Sequence, residues 1–149
     1  MAAITIRPLG VADYQQWRQL YQGYADFYKV PLTDAGVQTT WSWLMATGHV
    51  CNGLVAIDDD TIIGLAHFRG MPSPLRGHMV GFLDDLFVVP DHRSSGAAAA
   101  LMAAVKQHAI AANWGVVRWI TRDNNYRARG LYDKLAQKTD WALYEMTAK

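Results

Sequence analysis

"DDLFVVPDHRSSGAAAALMAAVKQHA", residues 84–109, combines three features in a fixed order. Two acids lead an apolar run typical of a strand, Pro90 ends the run, and an alanine-rich helix follows a polar turn. Apart from Arg93, the residues from 93 to 98 have small side chains. The first amides of a helix lack intrahelical partners and carry partial positive charge, so this turn is suited to bind phosphate. From spacing alone, an ordinary helix start packed against a sheet remains equally open.

Composition limits the classes of protein that this chain can belong to. Its 149 residues are 51% apolar, which suits one folded domain with a substantial core. The net charge of +1 and the absence of a basic cluster argue against a nucleic-acid partner. No apolar run approaches the roughly 18 residues of a membrane span, and the N-terminus has no signal-peptide pattern. With Cys51 as its one cysteine, the chain is expected in the cytoplasm, without a membrane partner.

Hydrophobic periodicity predicts the order β-α-α-β-β-β-α-β-α-β. The expected strands are 3–8, two that form a hairpin within 51–70, 80–89, 115–122 and 140–146. The expected helices are 11–29, 32–49, 97–112 and 125–137. Residues 71–78 are expected to form a loop. This order predicts an α/β (α+β) fold with a mixed central sheet and helices on both faces. No linker or repeat interrupts it, so residues 1–149 are expected to form a single domain.

Two motifs resemble the GNAT superfamily of N-acyltransferases. The turn has the pattern Arg-x-x-Gly-x-Ala from Arg93 to Ala98, after "DLFVVP", and resembles the acyl-CoA signature of that superfamily. Segment 122–135 has the pattern Asn-x-x-Ala-x-x-hydrophobic-Tyr from Asn125 to Tyr132 and resembles its last helix. The N-terminal stretch "WRQLYQGYADFYKV" is similar to members of the histone/polyamine acetyltransferase type. The chain departs from the pattern in "AQKT", where a Gly-Phe pair is usual.

The resemblance implies acetyl-CoA as acyl donor and a GNAT-like sheet to hold it. The pyrophosphate would contact the amides of the turn, and the pantetheine arm would lie along the preceding strand like an added strand. A backbone N–H of that strand would polarise the thioester carbonyl. The implied cofactor contacts are Leu86, Phe87, Val88, Arg93, Ser94, Ser95, Gly96, Ala97, Ala98, Asn125 and Ala128.

The implied reaction has two proton transfers. An alkyl amine of pKa about 10.4 must lose a proton, and a leaving thiolate akin to a thiol of pKa about 8.5 benefits from gaining one. The resemblance assigns the second transfer to Tyr132 and the first to an acid at the start of the cofactor strand. Strand alternation predicts that only one of Asp84 and Asp85 faces the site. We assign Asp84 as catalytic and Asp85 to the substrate, although Asp84 as anchor or bystander, and Tyr132 as an ordinary half-buried tyrosine, remain open.

The acid pair and the aromatic first helix suggest a cationic acceptor. Tyr28 is the aromatic residue assigned to the substrate, with Tyr24 and Trp43 as further candidates. The competing interpretation is that the aromatic stripe is core or dimer interface. No histidine or cysteine stands at a metal-ligand interval, so no metal is expected.

Together these features predict a cytoplasmic acyltransferase of the EC 2.3.1 class that acetylates the primary amine of a small molecule. Polyamine-like and amino-acid-like acceptors both remain open, as does a protein lysine. The alternatives are a CoA-binding sensor that has lost catalysis and a plain interaction protein. A homodimer is left open by the aromatic residues of the first helices.

Overall fold

The computed structural model describes residues 3–149, which contain five strands and four α-helices. The strands are β1 (Thr5–Pro8), β2 (Cys51–Asp58), β3 (Thr61–Ser73), β4 (His78–Val88) and β5 (Val117–Arg118). The helices are α1 (Tyr14–Tyr28), α2 (Asp34–Met45), α3 (Ala97–Ala111) and α4 (Tyr126–Leu135). The strands form one sheet in the order β1-β2-β3-β4-β5, antiparallel except for the parallel pair of β4 and β5. The chain divides into two compact units, one that ends at Trp119 and one from Ile120 to Lys149.

In the first unit, helices cover both faces of the sheet. Adjacent strand residues belong to different cores, as alternation along a strand requires: Val55 and Leu65 pack with α1 and α2, whereas Ala56 and Ala66 pack with α3. Trp17 of α1 is fully buried in the first of these cores. The predicted α+β class, with a mixed sheet between helices, is therefore confirmed.

A pair of glycines lets Trp114 lie against the centre of the sheet. Gly70 of β3 and Gly81 of β4 are partners across the two strands. A Cβ atom would lie 2.7 Å from the Trp114 ring at Gly70 and 2.6 Å from it at Gly81, closer than two carbon atoms can approach. The missing side chains therefore make room for the indole.

The predicted loop 71–78 and the predicted strand 115–122 differ from the structure. The expected loop 71–78 is wrong, because β3 continues to Ser73 and β4 begins at His78, which leaves only residues 74–77 as the turn. Proline has no N–H to donate. Pro72 is tolerated within β3 because β2 pairs with β3 only as far as Arg69, so no hydrogen bond to β2 is lost at Pro72. The expected strand 115–122 pairs only at Val117 and Arg118.

The second unit contains α4 and a C-terminal segment without regular structure. The expected strand 140–146 is wrong, since residues 137–149 form neither helix nor strand. Its apolar side chains, including Trp141, Tyr144 and Met146, are exposed. Alternation of apolar residues produces a strand only where a neighbouring strand supplies hydrogen bonds, and a sequence pattern does not identify that neighbour. The assignment of residues 1–149 to a single domain stays a prediction.

Candidate active site

Strand β4 contains a bulge at the predicted acid pair. His67 of β3 faces Asp85, but the next β3 residue, Phe68, faces Leu83. Asp84 is therefore an extra residue with no direct partner on β3. Such bulges change the direction of side chains and bend the strand.

Because of this bulge, both acids contact the same face of the sheet. The carboxylate of Asp85 contacts His67, and that of Asp84 contacts Arg69. His67 and Arg69 are two residues apart on β3, and the register between β3 and β2 is unbroken there, so their side chains share a face. The prediction that alternation places the acids on opposite faces is wrong, because it assumed an unbroken strand.

The carboxylate of Asp85 is largely buried and surrounded by donors. Its side chain is 18% exposed. Its Oδ2 lies 2.8 Å from Nδ1 of His67 and accepts a hydrogen bond of 3.0 Å from the Tyr21 hydroxyl. Burial alone would raise the pKa of Asp85, but hydrogen bonds from His67, Tyr24 and Tyr21 outweigh burial and hold the pKa below its usual value. Asp85 therefore provides a persistent negative charge.

The two tyrosines beside Asp85 act as hydrogen-bond donors. Burial and the Asp85 charge raise the pKa of Tyr21 and that of Tyr24 well above the ordinary tyrosine value. Their rings lie 5.9 Å apart on α1. Both hydroxyls therefore stay protonated at neutral pH, so neither tyrosine serves as a base.

Trp17 determines which nitrogen of His67 carries the ring hydrogen. The indole Nε1 of Trp17 lies 3.0 Å from Nε2 of His67, and an indole N–H can only donate. Nε2 is therefore the acceptor, and the hydrogen is assigned to Nδ1, which faces Asp85. Both Trp17 and His67 are buried. Sequence reasoning missed His67, although a histidine inside the apolar run "IIGLAHF" is a signal for a buried polar contact.

Asp84 forms an ion pair with Arg69 at a more exposed position. Nε of Arg69 donates to Oδ1 and Oδ2 of Asp84 at 3.2 and 3.0 Å. About a third of each side chain is accessible to solvent. Nearby, Cys51 is half-buried, and burial together with the Asp84 charge raises the pKa of its thiol. A thiol of raised pKa is a poor nucleophile at neutral pH.

The turn before α3 is shaped by left-handed residues. Ser94 has a φ of 73° and Gly96 a φ of 90°. Left-handed residues in a turn curve the backbone so that amides form concave anion-binding surfaces. Within the turn, the amides of Arg93, Ser95 and Ala97 donate at 3.2, 3.2 and 3.3 Å to the Pro90 carbonyl, the His92 carbonyl and the Ser95 hydroxyl. Ala98, the second residue of α3, is half-buried.

Arg93 packs beside the turn rather than extending into solvent. Its guanidinium carbon lies 4.8 Å from the centre of the Phe27 ring and 5.9 Å from that of Phe87. Its Nε donates to the carbonyl of Val88 at 3.4 Å. These contacts hold a positive charge between α1 and the end of β4.

The end of β4 presents an unpaired backbone edge within the first unit. β5 pairs with β4 only at Gly81 and Phe82. Among the strands of residues 3–119, none continues that pairing along 83–88. The side chains of Leu86 and Val88 pack toward α3 and that of Phe87 toward α1.

The remaining predicted residues lie on α1 and in the second unit. Tyr28 is half-buried at the end of α1, with its ring 5.0 Å from that of Tyr24. Asn125, Ala128 and Tyr132 follow a three- and four-residue spacing in and just before α4, so they share a helix face, and all are partly buried. The Asn125 amide donates to the Thr121 hydroxyl at 3.1 Å.

The further aromatic candidate, Trp43, lies near the end of α2. It stacks on His49 with a ring separation of 5.6 Å and is 43% exposed. The aromatic stripe of α1 combines two roles, since Trp17 is core whereas Tyr21 and Tyr24 reach Asp85.

Residues 3–149 contain no group of three or more His, Cys, Asp or Glu side chains placed to hold a metal ion. Over the same residues, no helix combines the length and apolarity needed to cross a membrane.

Comparison with known proteins gives matches to acetyltransferases. The model of the acetyltransferase (GNAT) family matches residues 17–136. The chain is 28% identical over 144 residues to the D-amino-acid N-acetyltransferase HPA3 of Saccharomyces cerevisiae, covering 95% of this chain and 89% of that protein. Among solved structures, it is similar to the aminoglycoside N-acetyltransferase AAC(6')-Iy in complex with CoA, with a TM-score of 0.84, 21% identity and coverage of 100% and 97%. A ribosomal-protein-alanine N-acetyltransferase from Brucella melitensis biovar Abortus 2308 has a TM-score of 0.81, 24% identity and coverage of 97% and 99%.

Proposed function

Because the chain belongs to the acetyltransferase (GNAT) family, we propose that it moves an acetyl group from acetyl-CoA to the primary amine of a small molecule. The observation that carries this proposal is the largely buried, ionised Asp85 beside the bulge of β4. The similarity to a protein named D-amino-acid N-acetyltransferase supports an amino-acid-like acceptor. Membership of the histone/polyamine type, and a polyamine-like acceptor, stay predictions.

The donor is assigned to the end of β4 and the turn that follows it. The edge of Leu86–Val88, with which no strand of residues 3–119 pairs beyond β3, supports a pantetheine arm that hydrogen-bonds like an added strand. The left-handed residues Ser94 and Gly96 support a diphosphate on the turn, with the Arg93 charge nearby. Asn125 and Ala128 are assigned to the cofactor through the resemblance of their motif.

We assign Asp85 to bind the ammonium group of the acceptor. A carboxylate of lowered pKa is a poor proton acceptor but a reliable anion, so it suits binding better than base catalysis. Tyr28 is kept as a further substrate contact, supported by its stacking with Tyr24 beside this carboxylate.

We assign Asp84 to accept a proton from the ammonium group of the acceptor, directly or through a water molecule. The neutral amine then attacks the thioester carbonyl and the C–S bond breaks. The CoA thiolate takes a proton from Tyr132, and the second proton lost by the acceptor nitrogen passes through water to restore the Tyr132 hydroxyl. A backbone N–H at the end of β4 would stabilise the developing oxyanion. The bulge supports this arrangement, because it directs both acids to one face.

The cellular setting and assembly also remain proposals. A chain with the single cysteine Cys51 suits the reducing cytoplasm. Exposed aromatic residues such as Phe27 and Trp43 support a homodimer. Light scattering on the purified protein would measure the mass in solution.

Two measurements test the function. Acetyl-CoA should raise the melting temperature, because a ligand that binds only the native state stabilises it. Release of free CoA thiol, followed across a panel of amino acids, polyamines and a lysine peptide, should then identify an acceptor. A cofactor-induced shift without turnover of any amine would favour the CoA-binding sensor. No shift at saturating acetyl-CoA would refute the donor assignment.

A further inference from the structure

Arg69 has one side of its guanidinium fork available beside the acid pair. Among the contacts of residues 3–149, Asp84 meets the guanidinium through Nε. Nη1 lies 4.0 Å from the sulfur of Met71, which is a weak acceptor. Within residues 3–149, no hydrogen bond engages Nη2. Two parallel N–H groups at this end of the fork match the two oxygens of a carboxylate.

The fork is held in place before any ligand arrives. Its guanidinium carbon lies 5.1 Å from the centre of the Phe82 ring, which is a cation–π distance. Asp84 holds the opposite side of the guanidinium. A side chain fixed by two contacts loses little conformational entropy on binding, so its hydrogen bonds contribute more fully to affinity.

From these contacts, we propose that Arg69 binds the carboxylate of the acceptor while Asp85 binds its ammonium, so that the acceptor is a small α-amino acid. This inference rests on the proposed acetyltransferase function and adds the substrate class. It assigns to Arg69 a role in acceptor selection that is separate from proton transfer.

Arg69 and His67, the residue that contacts Asp85, occupy neighbouring positions on one face of β3. Arg69 lies two residues from His67, a separation of about 6.6 Å along a strand, and His67 faces Asp85. In an α-amino acid, a single carbon separates the ammonium from the carboxylate. With one hydrogen bond of about 2.9 Å at each end, such a molecule reaches about 8 Å, which suffices to contact groups held by neighbouring side chains on one face of a strand. A polyamine would instead bring a second cation toward Arg69, which repels it.

Matched pairs of acceptors isolate the carboxylate. Alanine and ethylamine, leucine and 3-methylbutylamine, and phenylalanine and 2-phenylethylamine differ within each pair only by that group, and both enantiomers of each amino acid are used. The wild type should acetylate the amino acid with a kcat/KM roughly ten- to a hundredfold above that of the amine, as one charge-assisted fork contact allows. Arg69→Gln should abolish this preference mainly through a higher KM for the amino acid.

The matched control is Arg76→Gln, in the exposed turn between β3 and β4, which should retain the preference. Melting temperatures show that each variant is folded. The inference is overturned if Arg69→Gln lowers kcat/KM equally for both members of a pair, or if the wild type shows no preference while it acetylates amines.

Calorimetric titration of the amino acids in the presence of CoA gives a second measurement that does not need turnover. Weaker binding to Arg69→Gln than to the wild type supports the inference even if no acceptor is acetylated, an outcome that would refute only the proposed function. Equal binding, or no binding of any amino acid to the wild type at millimolar concentration, overturns it.

Discussion

Nδ1 of His67 lies 2.8 Å from Oδ2 of Asp85, and the indole of Trp17 occupies the other ring nitrogen. The ring hydrogen is therefore directed at the carboxylate. This hydrogen bond is one of the contacts that lower the pKa of Asp85 in spite of its burial. The charge assigned to hold the acceptor thus depends on a residue that does not touch the acceptor.

Replacement of His67 should change the pH dependence of the reaction. In His67→Leu, Asp85 remains buried but loses a donor, so its pKa rises. Since binding of the ammonium needs the ionised form, the acidic limb of kcat/KM should move to higher pH. The measurement is a pH profile of kcat/KM from pH 4 to 9 with a fixed amine.

The control is His67→Asn, whose side-chain amide keeps a donor near the position of Nδ1. It should restore most of the wild-type profile, whereas loss of packing alone would affect both variants in the same way. An unchanged acidic limb in His67→Leu, at a pH where the protein is folded, would remove His67 from this positioning role.

The two acids should differ in which kinetic constant they control. Asp85→Asn keeps the shape of the side chain but removes the charge opposite the ammonium, so KM for the amine should rise and kcat/KM should fall about 10²-fold. Asp84→Asn should mainly lower kcat, by about 10²-fold or more, because the proton acceptor is lost. Initial rates at varied amine and saturating acetyl-CoA separate the two constants. If Asp84→Asn retained full kcat, the base would have to be another group.

The sequence predicted those parts of the molecule whose signals are local. The strand, turn and helix at 84–109 follow from an apolar run, a proline, small residues and an alanine-rich periodicity, and α3 begins at Ala97 as expected. Gly96 was identified from its motif, and its φ of 90° explains why glycine suits that position.

The parts that sequence analysis missed depend on long-range pairing. The bulge at Asp84 results from the register between β3 and β4, and nothing in "FLDDLF" indicates which residue will lack a partner. His67 and Trp17 meet across 50 positions of the chain. The expected strand 140–146 failed for the same reason, since a strand needs a partner that its own residues do not specify.

Tyr132→Phe tests the assigned acid of the second unit. Removal of the hydroxyl should lower kcat by about 10²-fold if Tyr132 protonates the leaving thiolate. The ring remains, so the affinity for acetyl-CoA should change little. Single-turnover rates, together with calorimetric binding of acetyl-CoA, distinguish the two effects. A matched control is Tyr126→Phe on the same helix, where the side chain is exposed. Equal rates for Tyr132→Phe and the wild type would contradict the assignment.

Asp13 should contribute stability that depends on pH. Its carboxylate accepts hydrogen bonds of 2.7 and 2.8 Å from the Arg7 guanidinium and of 2.7 Å from the Gly10 amide. The Arg7 hydrogen bond is the main cause of the lowered pKa of Asp13. Because the folded pKa lies below the unfolded value of about 3.9, this contribution is complete well above pH 4 and is lost as the pH falls through the folded pKa.

Asp13→Asn should therefore lower the free energy of unfolding by about 1–2 kcal/mol at pH 7. This is the lower part of the range for hydrogen bonds to charged groups, because the Arg7 side chain is 44% exposed and solvent screens its charge. The difference from the wild type should begin to shrink below about pH 4, where the Asp13 carboxylate of the unfolded chain becomes protonated, and should vanish below the lower folded pKa. Urea unfolding at pH 7, 5 and 3.5 measures it. Asp34→Asn removes the partner of Arg18 at a fully accessible position and should have a much smaller effect. A difference that stayed constant with pH would mean that Asp13 acts through packing rather than charge.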